Sequence, residues 1–148
     1  MKQYLAFLCG GEDFALPIHY VVEVARHQSA VRVPNADPAV VGVINLRGQI
    51  IPIVDMFVPL GLEGAASGVH RVVVFTRVAS CESEHARTIG LLVDSVTDVM
   101  DIDDEQIKTA PAGDAFVAGM FYRDDIAYVV LELEYLVQQS LTTLDVAS

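Results

Sequence analysis

The feature that most constrains the fold is a pattern that occurs twice along the chain. The segment Phe14–Val24 aligns without a gap on Ile89–Val99, and each contains two apolar runs separated by a brief break. Another apolar run precedes each segment, Tyr4–Phe7 in the first copy and Val72–Phe75 in the second. Runs of this length and composition are typical of short β-strands.

A third pair of blocks follows, from Gly42 in the first copy and from Gly119 in the second. Each block has a glycine, an apolar strand, an arginine, a tight turn, a second strand and an acid, and this alignment matches Arg47 with Arg123. Any two β-hairpins share some of these features. Three blocks in the same order nevertheless favour duplication of one β module.

Each copy holds about five short strands, enough for a small closed barrel without exposed sheet edges. We therefore predict an all-β fold with two five-stranded barrels packed together, a groove between them and a short C-terminal helix over Glu132–Leu141. The chain is expected to be a single domain. Its approximate subdomains are residues 14–70, and residues 1–13 with 71–148, with strand exchange between them left open.

Composition excludes several classes of partner. The chain has 20 acidic and 9 basic side chains and a net charge of −11, which disfavours nucleic acid and anionic membranes and favours a monomer or a weak oligomer. Its apolar runs are shorter than the ~20 residues of a membrane span, and the N-terminus does not resemble a signal peptide. Cys9 and Cys81 cannot build a disulfide framework, so we expect a cytoplasmic protein with reduced thiols.

The sequence contains no convergent set of nucleophile, base and electrostatic stabiliser, and no phosphate-binding loop. Cys81 and His85 lie four residues apart, but a structural zinc site needs a second such pair. The acidic run Asp101–Glu105 lacks the glycine of a calcium loop, and we expect Asp103 to cap a short helical turn. The sequence therefore predicts no enzyme activity, no cofactor and no metal.

The segment Gly42–Asp55 reads G-V-I-N-L-R-G-Q-I-I-P-I-V-D and closely resembles a block of the CheW-like domain family. The opening strands and the run Gly90–Val99 resemble the same family, so the resemblance covers nearly the whole chain. It implies two SH3-like barrels packed together and a scaffold without a catalytic site. Such a scaffold would couple the cytoplasmic tip of a chemoreceptor to the regulatory domain of a CheA-type histidine kinase, without direct membrane contact.

Candidate binding residues come from both lines of reasoning. Arg47 lies at a predicted hairpin tip, and Glu23, on a strand of the same barrel, is the acid expected nearest to it. A plain surface ion pair is the simpler reading of these two residues. The resemblance instead assigns Arg47, Glu23, Asn45 and Gly48 to the partner-binding surface. It also implies an apolar groove for a receptor helix, although each candidate lining residue alone also suits a buried core: Leu5, Ile18, Val21, Val24, Val93 and Val96.

Three rival functions remain at this point. The chain could be the coupling half of a larger signalling protein, or a stand-alone relative that serves a non-flagellar pathway such as twitching or surface sensing. It could also be a small-molecule sensor or an enzyme that uses the groove between the barrels. A sensor needs convergent polar groups in a pocket, whereas the candidate groove residues are apolar.

Overall fold

The computed structural model describes residues 1–26, 30–34, 38–62, 71–79, 86–109 and 116–138. These residues form ten β-strands: β1 Lys2–Cys9, β2 Glu12–Pro17, β3 Val21–Arg26, β4 Val40–Leu46, β5 Gln49–Asp55, β6 Val72–Ala79, β7 Ala86–Val93, β8 Ser95–Ile102, β9 Val117–Arg123 and β10 Ile126–Leu131. Two 3-10 helices, Ile18–Tyr20 and Asp104–Gln106, lie between strands. Residues 133–138 are α-helical, which confirms the described part of the predicted C-terminal helix.

The strands form two five-stranded sheets with the same internal order. The first sheet runs β8-β1-β2-β10-β9 and the second runs β3-β6-β7-β5-β4. Adding five to each strand number of the second sheet, and counting on from β10 to β1, gives the strand order of the first sheet. This confirms the all-β fold with two five-stranded units and supports the duplication inferred from the sequence.

Each sheet curls until its two outer strands come close. Val31 follows β3 and forms an antiparallel bridge to Val43 of β4, and Lys108 follows β8 and forms the equivalent bridge to Met120 of β9. The continuous ladders stop at five strands, so each unit is a curled sheet joined by one bridge rather than a barrel with an unbroken ladder.

The strands are divided between the sheets differently from the expected subdomains, residues 14–70, and residues 1–13 with 71–148. β1 lies with β8, β9 and β10 as that division has it, whereas β2, β6 and β7 lie in the other sheet, which is the strand exchange that the sequence left open. β1 and β2 of the first copy join β8, β9 and β10, whereas β6 and β7 of the second copy join β3, β4 and β5. Each sheet therefore combines two strands of one copy with three of the other. Within each sheet the two contributions are joined by one parallel ladder, β2·β10 or β5·β7, and by one antiparallel ladder, β1·β8 or β3·β6.

The chain packs around three apolar clusters. One lies inside the first sheet and includes Phe121 and Tyr128, and one lies inside the second and includes Ile53 and Phe75. The largest lies between the sheets and takes residues from both, among them Leu5, Phe7, Leu16, Val54, Leu91 and Leu136. Burial of this shared cluster holds the two sheets together, since apolar area removed from water contributes about 25 cal/mol per Å².

The repeated segments have matching structures. Phe14–Val24 covers β2, a 3-10 turn and β3, and Ile89–Val99 covers β7, a one-residue bend and β8. The match of Arg47 with Arg123 is wrong by one residue. Leu46 pairs with Gln49 across one turn and Arg123 pairs with Ile126 across the other, so the equivalent of Arg47 is Asp124.

Candidate functional site

The hairpin of β4 and β5 presents the arginine that the sequence singled out. Leu46 and Gln49 close a two-residue turn in which Arg47 and Gly48 have φ of 50° and 83°. Positive φ at both central residues is the signature of a type I′ turn, whose twist matches that of the strands. The Gly48 N–H donates to Oδ1 of Asn45 at 3.0 Å, which fixes the tip. The sequence thus dictates an outward-facing Arg47.

Arg47 forms a two-point ion pair with Glu23, as predicted from the sequence. Nη1 lies 2.6 Å from Oε1 and Nη2 lies 3.4 Å from Oε2. Glu23 lies on β3 and Arg47 follows β4, so the pair joins the two outer strands of the second sheet. The Arg47 side chain is 74% exposed and that of Glu23 is 28% exposed. Solvent screening limits the contribution of such a pair to folding to less than ~1 kcal/mol.

The strand that carries Glu23 also carries exposed apolar side chains. Val22 and Val24 are 51% and 41% exposed, although valine is usually buried. A register shift in the ladder to β6 lies between Val21 and Glu23, at the position of Val22. Irregularities of this kind are common where an outer strand is turned to present side chains.

The six candidate groove residues fall into three environments. Leu5 and Val93 are buried in the cluster between the sheets, so they contribute to packing and present no surface to a partner. Ile18, Val21 and Val96 are half-buried against the same cluster. Val24 is exposed. Val24 therefore lies at the surface, one residue after Glu23 in the sequence. Leu5 and Val93 belong to the buried core, which is the simpler of the two roles open to them.

No sequence motif indicated the cluster in which the buried guanidinium of Arg71 lies beside Asp55 and Asp94. Nη2 and Nη1 of Arg71 donate to the two carboxylate oxygens of Asp55 at 2.7 and 3.2 Å. Nε of Arg71 lies 3.9 Å from Oδ1 of Asp94 and has no hydrogen bond. The guanidinium also lies 5.1 Å from the centre of the Phe57 ring.

This cluster connects the two sheets. Asp55 ends β5 of the second sheet, and Asp94 lies between β7 and β8, where the chain passes from the second sheet to the first. Oδ2 of Asp94 accepts the N–H of Gly10 in the β1–β2 turn at 2.8 Å. No local periodicity predicts such contacts, because the partners are distant in sequence. Their role is structural.

The Cys9 thiol lies buried in the cluster between the sheets. The pKa of this thiol is raised to about 12, mainly by burial and secondly by the nearby carboxylate of Asp94. The thiol therefore stays protonated at neutral pH. Within the described ranges, no three His, Cys, Asp or Glu residues are grouped to hold a metal ion. Cys81 and His85 lie outside the described residues. Asp103 caps the 3-10 helix as predicted.

No helix in the described part of the chain has the length and apolarity needed to cross a membrane.

Comparisons with known proteins agree with one another. The family model of the CheW-like domain matches residues 3–141. The "Chemotaxis protein CheW" of Rhizobium meliloti is 36% identical over 110 residues, which are 74% of this chain and 67% of the relative. "Protein PilI" of Pseudomonas aeruginosa is 30% identical over 126 residues, which are 81% of this chain and 67% of the relative.

A solved structure extends the similarity to the fold. The crystal structure of the scaffolding protein TtCheW from Thermoanaerobacter tengcongensis matches with a TM-score of 0.83 and 28% sequence identity. The match covers 93% of this chain and 92% of that one.

Proposed function

Because the chain belongs to the CheW-like domain family and is a non-enzymatic chemotaxis scaffold, we propose that it couples chemoreceptors to a CheA-type histidine kinase. In this proposal the protein works in the cytoplasm and reaches the membrane only through its receptor partners. The regulatory domain of the kinase and the cytoplasmic tip of the receptor are its two partners.

The observation that carries the proposal is the exposed Arg47–Glu23 pair at the hairpin tip. A guanidinium has five N–H donors, and the contact with Glu23 engages Nη1 and Nη2 on one side. Since Arg47 is 74% exposed, its other donors face solvent and can hold a partner carboxylate. Glu23 holds the side chain, and the hydrogen bond from Gly48 to Asn45 holds the turn that carries it, which lowers the entropy lost on binding.

Apolar contact area for the same partner is available on β3. Val22 and Val24 offer exposed apolar surface on the strand that carries Glu23, and alternation places Val24 on the opposite face of the strand from Glu23. A partner that covers this outer strand would contact both the ion pair and the valines, and interfaces usually combine polar and apolar area. Asn45 and Gly48 belong to the site because their hydrogen bond sets the turn that presents Arg47.

The test is calorimetric titration of the protein with a receptor tip fragment and with the kinase regulatory domain. We expect Arg47→Ala to leave the melting temperature nearly unchanged and to weaken binding by roughly 1–3 kcal/mol, the range for a lost charged hydrogen bond. Arg123→Ala is the matched control, because Arg123 is an exposed arginine beside the equivalent turn of the other sheet.

A charge-reversed pair separates partner binding from mutual support. The double variant Glu23→Arg with Arg47→Glu retains the internal pair and inverts its presentation to a partner. If the pair serves only the fold, the double variant binds both partners as the wild type does. Equal binding by wild type, Arg47→Ala and the double variant would remove Arg47 from the site.

A second candidate is the same scaffold role in a non-flagellar chemosensory pathway. The similarity to a relative that carries the different name "Protein PilI" favours this candidate. Titration with receptor tips from each chemosensory system of the source organism distinguishes the two, since the cognate tip binds more tightly. A small-molecule sensor is less well supported, because the residues proposed for its groove are core or apolar.

A further inference from the structure

The second sheet contains a gap between two strands that are neighbours elsewhere. β5 and β7 pair in parallel from Ile53 and Gly90 onwards, but the earlier residues of the two strands form no ladder pairs. An open cavity of about 410 Å³ lies there, lined by Gln49–Pro52 of β5, residues 86–88 of β7 and Arg77 of β6. Its volume falls within the usual range for ligand pockets, roughly 300–1,000 Å³.

Pro52 explains why pairing stops at this point. The N–H and C=O of Val43 bond to Val31, so they point away from β5. Pro52 is paired with Val43 in the β4–β5 ladder, and its own backbone therefore points towards β7. Proline has no N–H to donate, so the parallel ladder cannot continue past it.

Backbone groups on both walls of the gap lack a strand partner. Ile50 lies two residues before Pro52, and its N–H and C=O therefore point the same way, into the gap. On β7, the Leu92 carbonyl accepts the N–H of Met56, so the backbone of Leu92 faces β5. Every second residue of a strand faces the same neighbour, so the backbone of Thr88, four residues earlier, also points towards β5. Each wall thus offers one N–H and one C=O.

Two arginines border the gap on opposite faces of the sheet. Arg77 follows Val73 and Phe75 in alternation, so it points to the face of the cluster inside the second sheet. Arg87 precedes Ile89 and Leu91 in alternation, so it points to the other face. In a chain with 9 basic residues and a net charge of −11, two arginines beside one cavity are a marked local concentration of positive charge.

The two arginines differ in their present contacts. Arg77 is exposed and makes no hydrogen bond or ion pair with the part of the chain that the structure describes. Arg87 is half-buried and already interacts within the chain. Five N–H donors leave a guanidinium room for a further carboxylate.

We propose that this gap binds an extended acidic peptide segment of a partner protein. Its backbone pairs with Ile50 and Thr88, and two adjacent acidic side chains reach Arg77 and Arg87. Adjacent residues of a strand point to opposite faces, which is the arrangement of the two arginines. Strand addition of this kind obtains affinity from main-chain hydrogen bonds and specificity from side-chain contacts. The inference does not depend on the proposed coupling function.

The experiment is fluorescence anisotropy with three labelled hexapeptides. The first contains two adjacent glutamates between valine and threonine residues, the second has glutamines in their place, and the third separates the glutamates by one residue. We expect the first to bind most tightly, because the third places both acids on one face. Arg77→Gln and Arg87→Gln should each weaken its binding about fivefold, the upper range for an exposed ion pair. Arg123→Gln, an equal charge change outside the gap, should leave binding unchanged.

Melting curves establish that each variant is folded. If Arg87→Gln does not fold, Arg77→Gln alone decides the outcome, because Arg77 is exposed. Equal binding of the glutamate and glutamine peptides, or equal binding of the adjacent and separated glutamates, overturns the proposal. Unchanged binding by Arg77→Gln also overturns it. If citrate displaces the peptide completely and binds with the same dissociation constant as the peptide, the gap is a small-anion site instead.

Discussion

Replacing Arg71 by methionine should destabilise the protein far more than the same replacement at Arg47. Both arginines make two-point contacts to one carboxylate, with shortest distances of 2.7 and 2.6 Å. They differ in burial, since the Arg71 side chain is 8% exposed and that of Arg47 is 74% exposed. The two ion pairs of this chain therefore have similar geometry and differ mainly in burial.

The magnitude follows from what Arg71→Met leaves behind. The carboxylates of Asp55 and Asp94 are 21% and 28% exposed, so both lose a cation in a largely desolvated site. Removing one partner of a buried pair costs about 3–5 kcal/mol, and partial exposure places this case near ~3 kcal/mol. Loss of the contact with the Phe57 ring adds roughly 0.5–1 kcal/mol. A total near ~4 kcal/mol is a large part of an ordinary stability of about 5–15 kcal/mol.

Urea unfolding followed by far-ultraviolet circular dichroism measures this change, because the chain has no tryptophan for fluorescence. In a thermal melt the same loss lowers Tm by roughly 8–16 °C for a domain of this size. Arg47→Met is the control and should change the free energy of unfolding by less than ~1 kcal/mol.

Adding Asp55→Asn to Arg71→Met tests the assigned cause. The asparagine retains an oxygen that can accept the Phe57 N–H, which donates to Oδ1 of Asp55 at 3.0 Å, but it carries no charge. If unpaired charge causes the loss, the double variant recovers about 1 kcal/mol or more relative to additivity. A loss for Arg71→Met as small as that for Arg47→Met would refute the reasoning from burial.

Three further predictions concern single residues. In a Cys81→Ser background, the Cys9 thiol should react with Ellman's reagent only on unfolding, because its pKa is raised to about 12. Since this pKa lies above that of the unfolded chain, the protonated thiol contributes stability at pH below about 9, and this contribution is lost as pH rises towards 12. Cys9→Ala should flatten that alkaline loss of stability. Gly90→Ala should cost about 1–3 kcal/mol by urea unfolding, because the added Cβ would lie 2.5 Å from Cδ1 of Ile53 and 2.8 Å from Cγ1 of Val73. Asp125→Gly should raise stability by up to about 1 kcal/mol in the same assay, because Asp125 has φ of 64° at a turn where glycine carries no strain.

Local patterns in the sequence were sufficient to predict the strands and the hairpin tip. The repeated segments became β2–β3 and β7–β8, and Glu23 was identified as the partner of Arg47 because both lie in one repeat. These features depend on apolar alternation and turn residues within a few positions of each other. Pro52 is a further local feature of this kind, because proline has no N–H for a ladder and β5 pairs with β7 only beyond it.

The exchange of strands between sheets and the Arg71 cluster could not be predicted in this way. A strand of either repeat has the same apolar pattern whichever sheet it joins, so periodicity does not distinguish the two arrangements. Arg71 is separated from Asp55 and Asp94 by many residues, and each of the three alone resembles an ordinary polar residue at a strand end. Leu5 and Val93 show the same limit, since an apolar strand residue looks alike in a core and in a groove.

Duplication of the backbone did not duplicate the surface. The first repeat has Arg47 and Gly48 in its hairpin turn opposite Glu23, whereas the second has Asp124 and Asp125 in the equivalent turn. Asp98 is the sequence counterpart of Glu23, so the second corner carries acids in both places. Burial first, and then the charges of nearby acids including Asp98 and Asp124, raise the pKa of Tyr128 there.

The first corner is therefore an ion pair whose guanidinium has further N–H donors, and the second has an excess of negative charge, with Asp98, Asp124 and Asp125 beside Arg123. A partner carboxylate that binds the first corner is repelled from the second, although the two backbones have the same strand order. Specificity of this kind needs both the attractive site and the repulsive one. A small number of turn residues, changed on a repeated frame, therefore gives the two corners of one chain different charges.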